Sequence, residues 1–367
     1  MMISFVCDLK TGDLIDEYPF EINQSLERRL GDYRSGTLAL NVLDTRVPAG
    51  WRETVLPWRT IIVVCDDDEQ IVWAGVPTSI ETDGAPTVLY QCVTLEKYFD
   101  RRYMPDADYR QADQTSRIAR DMAEWCGDDV IGIGLEYDTP DSGVKRDRTY
   151  YGDEDARILT RLQQLAAVRN GFEWTITVEW RDDDHTGVRK VFRTGYPTLG
   201  VVTDTPEYVF EVSHGVPGPV SGFTHATQWG EGEAATHVQA VGDGEGEDKP
   251  YSTPVVDGDR EAAGWPRLEE RKTQQGVIEQ DTLDTYAQGM ADKMFGGQRV
   301  LEFEAVITEW PTPADINLGD TARVVIETDQ ITLDEVWRIV GYSIDHNAGT
   351  WKPVIARIGD QEDDSNA

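Results

Sequence analysis

Cations are scarce in this sequence. Its 367 residues hold 68 Asp plus Glu against 34 Lys plus Arg, a formal net charge of −34. Such a net charge argues against generic binding to nucleic-acid phosphates, which needs clustered cations. Lysine is rarer still, since 26 of the 34 cations are Arg; the bias fits a GC-rich genome or a salt-adapted host. Cysteine occurs only at Cys7, Cys65, Cys92 and Cys126, never as CxxC, so zinc spacing is missing. No run of 18 apolar residues exists, and no transmembrane helix is expected. The start, MMISFVCDLK, has neither the basic segment nor the apolar run of a signal peptide. Catalytic signatures are missing too: no GxSxG, HExxH, GxGxxG or GxxxxGK[ST] occurs. The five histidines, His185, His214, His225, His237 and His346, lie scattered. Carboxylate pairs are too numerous among 68 acids to single out a glycosidase site.

What is present is mostly strand. ISFVCDL and DLIDEYPF read as a hairpin turning on KTG, with glycine at the turn. SGTLALNVL, TIIVVC, QIVWAGVP and PTVLYQCV follow, at the close spacing of a small barrel or sandwich. Three cysteines continue apolar alternations (Ile3, Phe5, Cys7; Ile61, Val63, Cys65; Val88, Tyr90, Cys92), which predicts reduced core thiols. The pattern changes after residue 100. DQTSRIARDMAEWCG predicts a helix capped by Asp113 or Thr115, with Ile118, Met122 and Trp125/Cys126 on one face. GDEDARILTRLQQLAAVRNG predicts a second, capped by Asp153 and stopped at Asn170-Gly171. FEWTITVEW puts Phe172, Trp174, Ile176, Val178 and Trp180 on one face of a strand. One more helix is expected near 275–296, then four strands to about residue 357. The fold class is therefore mainly β (α+β). Its expected parts are a β domain over 1–100, an α/β domain over 101–212, a second β domain with a helical insertion over 213–360, and a disordered acidic tail over 361–367.

Three acidic clusters invite a metal. DDDHTG sets Asp182, Asp184 and Thr186 at alternate positions before Gly187, but Arg193 stands where an EF-hand wants Glu. A solvated hairpin is the preferred reading. GDGEGED is a single copy without period, and CDDDEQ is a turn. No catalytic residue, cofactor or metal is expected. The one local excess of cations is YFDRRYMPDADYR, residues 98–110. Its plain reading is a linker whose Arg101 and Arg102 pair with neighbouring Asp. Its sharper reading is an interface formed by Arg101, Arg102 and Tyr103, residue types enriched where proteins bury surface on each other.

Several stretches resemble minor tail proteins of long-tailed actinobacterial phages: VCDLKTGDLIDEYP, LEKYFDRRYMPDADYRQADQTSRIARDMAEWC, DSGVKRDRTYYGDEDARILTRLQQLAAVRNGFEW and LGDTARVVI. That family is similar in layout to the baseplate hub of tailed phages. The resemblance implies a structural virion protein of the tail tip, assembled in the host cytoplasm. It implies a homotrimer whose subunits each carry two similar β-barrel domains, giving a ring of six that continues the tail tube. Implied partners are the distal tail protein ring, the tape-measure protein and other tail-tip proteins. DNA would pass through the lumen without specific binding, and no membrane is involved. The chain ends eight residues after Gly359, so an enzymatic extension is expected on another protein. The alternative is a virion glycan-binding or glycan-cleaving protein, supported by 11 Trp and the excess of acids. A secreted adhesin is disfavoured by the missing signal peptide.

Overall fold

The computed structural model describes residues 2–128, 130–168, 170–213, 218–242, 249–274 and 279–358. Packing divides the chain into two units, residues 1–222 with 303–367, and residues 223–302.

The first unit opens with β1 (Ile3–Asp8), β2 (Leu14–Glu17), β3 (Phe20–Ile22), β4 (Leu26–Arg29) and β5 (Ser35–Asn41). A helical turn α1 (Trp51–Thr54) precedes β6 (Thr60–Cys65), β7 (Ile71–Glu81) and β8 (Thr87–Val93). Seven of these form a sheet in the order β2-β1-β6-β7-β8-β5-β3. Gly12 turns the β1–β2 hairpin at φ +76, where a Cβ would sit 2.0 Å from the Val188 carbonyl oxygen. Only glycine fits there. The strand expected from Asp13 to Phe20 is broken: β2 stays beside β1, while β3 lies at the opposite edge. Pro19, which has no N–H to give a ladder, stands between them. Three residue steps reach about 10 Å at most, so the sheet curls until its edges come close. Strand β6 is buried along its whole length. Its Ile61, Val63 and Cys65 join a core shared with helices, while Ile62 and Val64 point to the other face, which is also closed. An uninterrupted apolar run is the consequence.

A 3-10 turn, Leu95–Arg101, leads to β9 (Ala107–Asp113), a π-helical segment Gln114–Ala119 and α2 (Arg120–Gly127). The Asp113 cap forms as expected, accepting from the backbone N–H groups of Thr115 and Ser116 at 2.9 Å. Then come β10 (Glu136–Asp138), β11 (Lys145–Tyr150), α3 (Ile158–Ala166), β12 (Glu173–Trp180) and β13 (Val188–Gly195). Asp153 does not cap α3. It lies in a separate turn, Asp155 is left-handed at φ +50, and the helix begins behind Arg157 without a side-chain cap. Asn170, at φ +57, provides the expected stop.

Strands β14 (Tyr208–Ser213), β15 (Val220–Gln228), β19 (Gln298–Val306), β20 (Thr321–Glu327), β21 (Thr332–Asp345) and β22 (Thr350–Arg357) make the second large sheet, while β16 (His237–Val241), β17 (Val255–Val256) and β18 (Glu269–Thr273) lie in the excursion between β15 and β19. The second sheet runs β14-β20-β21-β22-β19-β15, with β4 added on β21. The two large sheets share a strand order. From one edge, the first reads β3-β5-β8-β7-β6 and the second β15-β19-β22-β21-β20. Taken in chain order, each set is arranged 1-2-5-4-3. In both, the strand preceding the set in the chain (β2 or β14) lies at the far edge.

In the second unit β16 is central, antiparallel to β17 and parallel to β18. Helix α4 (Gly258–Ala262) is short, and α5 (Gln280–Met294) answers the expected helix, its range beginning partly outside the described residues. Met290, Ala291 and Met294 of α5 pack on Ala235 and Val238, and Leu283 and Ala287 on Ala240. The acidic tail and residues 243–248 of GDGEGED lie outside the described residues.

Candidate functional site

The cationic stretch forms the connection between the first sheet and the α/β part. Leu95 and Phe99 turn inward on the 3-10 turn, and Phe99 stacks on Trp174 at 5.9 Å with the planes 8° apart. Glu96 is 3% exposed. Its carboxylate accepts from the Ile176 N–H at 2.9 Å and the Thr175 hydroxyl at 3.2 Å. The segment is thus fixed from beneath, and its outward side chains hold set positions.

Those outward groups form a shelf of cations and rings. The Arg101 guanidinium stands 5.8 Å from the Trp58 ring centroid, and Trp58 lies beside Tyr98 at 6.1 Å. Arg102 is half-buried, its Nη1 3.5 Å from the Tyr98 hydroxyl. Tyr103 is 54% exposed and lies under the Arg157 guanidinium at 3.8 Å. The Tyr98 hydroxyl donates to the Ile131 carbonyl at 3.2 Å, and Lys10 Nζ to the Val130 carbonyl at 2.5 Å. Lys10 and Arg59 line an open depression of about 460 Å³ with Asp8, Thr11 and Glu136.

The expected pairing of Arg101 and Arg102 with neighbouring aspartates is not formed. Asp100 is held by Lys97 at 2.7 Å, Asp106 accepts from the Gly152 N–H at 2.7 Å, and Asp108 meets Arg110 at 2.9 Å. Among the described residues neither guanidinium meets a carboxylate. Cations laid on aromatic faces suit recognition of acidic and apolar protein surface. The sequence reading missed Trp58 and Arg157, which come from distant segments. The isolated aromatic in LPWRT was the only local signal for the first.

The other clusters serve local structure. Asp182 accepts from the Thr186 N–H at 2.9 Å and from its hydroxyl, closing the β12–β13 hairpin, and Asp184 is exposed. His185 pairs with Glu69 at 2.8 Å and stacks on Trp180 at 4.2 Å, tying that hairpin to the β6–β7 turn. Asp66 accepts from the N–H groups of Asp68 and Gln70 inside CDDDEQ. All four thiols are buried and unpaired. Burial pushes Cys7 and Cys126 up to about 12 and raises Cys65 and Cys92 as well, so none presents a thiolate nucleophile.

This arrangement of two like-ordered sheets is a fold found in phage tail proteins. The 43 kDa tail protein of prophage MuSo2 from Shewanella oneidensis shares it at 13% identity, over 97% of this chain and 98% of that one, with a TM-score of 0.57. The tail protein from Neisseria meningitidis MC58 shares it at 14% identity, over 98% and 97%, with a TM-score of 0.58. A chain of the Francisella PdpA-VgrG complex matches at 10% identity, over 98% of this chain but 54% of that one, with a TM-score of 0.53. At such identities the likeness is one of fold. No protein-family model and no curated protein matches the sequence.

Proposed function

We propose that this chain is a structural protein of a phage-type tail, a hub at the tail tip that assembles as a three-fold ring and carries no chemistry of its own. The observation that carries this reading is the shared strand order of the two large sheets. Three copies of a chain with two like-ordered sheets present six similar elements, which suits continuation of a six-fold tube. The likeness in fold to two tail proteins over nearly the whole of both chains supports it. In this reading residues 1–100 and 213–360 carry the two barrels, the latter with the helical excursion, and 101–212 the α/β domain. The distal tail protein ring and the tape-measure protein are its neighbours. Charge agrees: three copies carry three times −34, or −102. An acidic lumen lets DNA slide without trapping phosphates. Arg101, Arg102 and Tyr103 lie at a contact between subunits. Native mass and negative-stain images of the purified chain test the reading. A three-fold ring is the expected result, and a monomer at all concentrations overturns it.

A glycan-binding role keeps one supporting observation. In the second unit Trp229 and Trp265 lie 4.5 Å apart under the Arg260 guanidinium, and Trp265 is 43% exposed. Elsewhere Trp73, Trp174 and Trp351 are buried core residues. Binding of host-wall polysaccharide that is lost in Trp265→Ala would favour this second reading.

A further inference from the structure

The internal correspondence of the sheets identifies a strand-accepting edge. Strands β7 and β21 occupy the same place in their sheets. Strand β21 pairs with β20 up to Arg338, shifts register against β22 between Ile339 and Gly341, and then runs on past β20. Its extension does not stay bare. Gly341, Tyr342, Ser343 and Ile344 pair with Arg29, Arg28, Glu27 and Leu26 of β4. Leu26 is fully buried, and Trp73 Nε1 donates to the Glu27 carbonyl at 3.0 Å.

Strand β7 repeats the first part of this pattern. It pairs with β6 only as far as Gly75, shifts register against β8 between Pro77 and Ser79, and runs on to Glu81. Among the described residues no strand covers Ser79–Glu81 on the side that β6 has left. All three are exposed, and Ile80 is an apolar side chain at 40% exposure. A bare strand edge offers unpaired N–H and C=O groups to any extended chain.

We infer that the edge of β7 at Ser79–Glu81 accepts an extended segment from a second copy of this chain, as β21 accepts β4 within one copy. The inference rests on the ring reading above. Charge favours a copy as the partner. The Trp58 N–H donates to the Pro77 carbonyl at 3.0 Å, which brings the Trp58–Arg101 shelf against this edge. Among the described residues Arg101 and Arg102 form no salt bridge, Asp128 acting on Arg102 only at longer range, and a second copy brings a net charge of −34. Each copy gives one segment and receives one, a heterologous contact that closes into a ring when the rotation allows.

Hydrogen exchange tests this, comparing the assembled protein with the same protein dissociated by dilution. The peptide covering Ser79–Glu81 is expected to exchange about tenfold or more slowly in the assembly. Two variants accompany it, Ser79→Pro and Ile80→Asp; the second leaves the backbone intact should the first not fold. Ile80→Asp is expected to move the self-association midpoint to about tenfold higher concentration, with a melting temperature close to the parent's. A ring that forms while this peptide exchanges at the dissociated rate overturns the edge and leaves the ring standing. An Ile80→Asp variant that associates like the parent does the same. A wild-type chain that stays monomeric overturns both.

Discussion

Arg338 of β21 grips the carboxylate of Glu173 of β12 with both terminal nitrogens, at 2.8 and 2.5 Å. The arginine is 2% exposed and also donates to the carbonyls of Leu199 and Gly319. The pair ties the α/β part to the second sheet inside the first unit. Replacing Arg338 with Ala leaves Glu173 facing a partner site it cannot fill, and the expected loss is about 3–5 kcal/mol. The paired variant Arg338→Leu/Glu173→Leu is expected to lose less, because no buried charge remains. Urea titration of the three proteins checks this order.

A second expectation concerns pH. Burial acts to raise the Asp113 carboxyl, but it is outweighed by hydrogen bonds from Ser116, Ser142 and Thr115, which hold it well below the usual carboxylate range. A depressed folded pKa gives stability that is present above the unfolded value, about 4, and lost as pH falls through the folded one. Asp113→Ala is therefore expected to cost about 0.5–2 kcal/mol at neutral pH. The gap from the parent should narrow as pH falls below the usual carboxylate range. Melting curves from pH 7 down to 2 measure it; a gap that stays constant would contradict the assignment.

Thiol chemistry offers a third check. Cys7 and Cys126 are pushed up to about 12 by burial, and Cys65 and Cys92 are raised as well. A thiol-specific disulfide reagent at pH 8 should find no reactive thiol in the native chain and four in denaturant.

The shelf around Arg101 gives a fourth. Replacing Arg101 and Arg102 together with Ala should leave the melting temperature of the dissociated chain nearly unchanged, as expected for groups at or near the surface. Self-association should weaken by about tenfold or more. Sedimentation velocity across a concentration series reads both outcomes.

Local chemistry made much of this fold legible. Gly12 marked the first hairpin, Asp113 the first helix start, and Asn170 a helix stop, because each acts on its own few residues. Ile61, Val63 and Cys65 declared a buried strand for the same reason. The expected α3 cap failed because Asp153 is near enough in sequence but is cut off by the left-handed turn at Asp155. Of the candidate site, Arg101, Arg102 and Tyr103 stood out as a local excess of charge and ring. The groups they meet, the Trp58 ring and the Arg157 guanidinium, did not.

Sequence alone determined where most strands and helices lie, since alternation, caps and turns are written within a dozen residues. Hairpin neighbours such as β1–β2 are written in their turns, but only the tertiary structure decided which other strands lie side by side. Those pairs join segments from tens of residues apart, as in β1–β6 and β5–β8, to about three hundred, as in β4–β21, and no short pattern encodes them. LERR shows no alternation and nothing in it points to Gly341–Ile344, yet β4 pairs there. Arg338 finds Glu173 for the same reason: their meeting depends on two sheets being packed, not on anything adjacent to either residue.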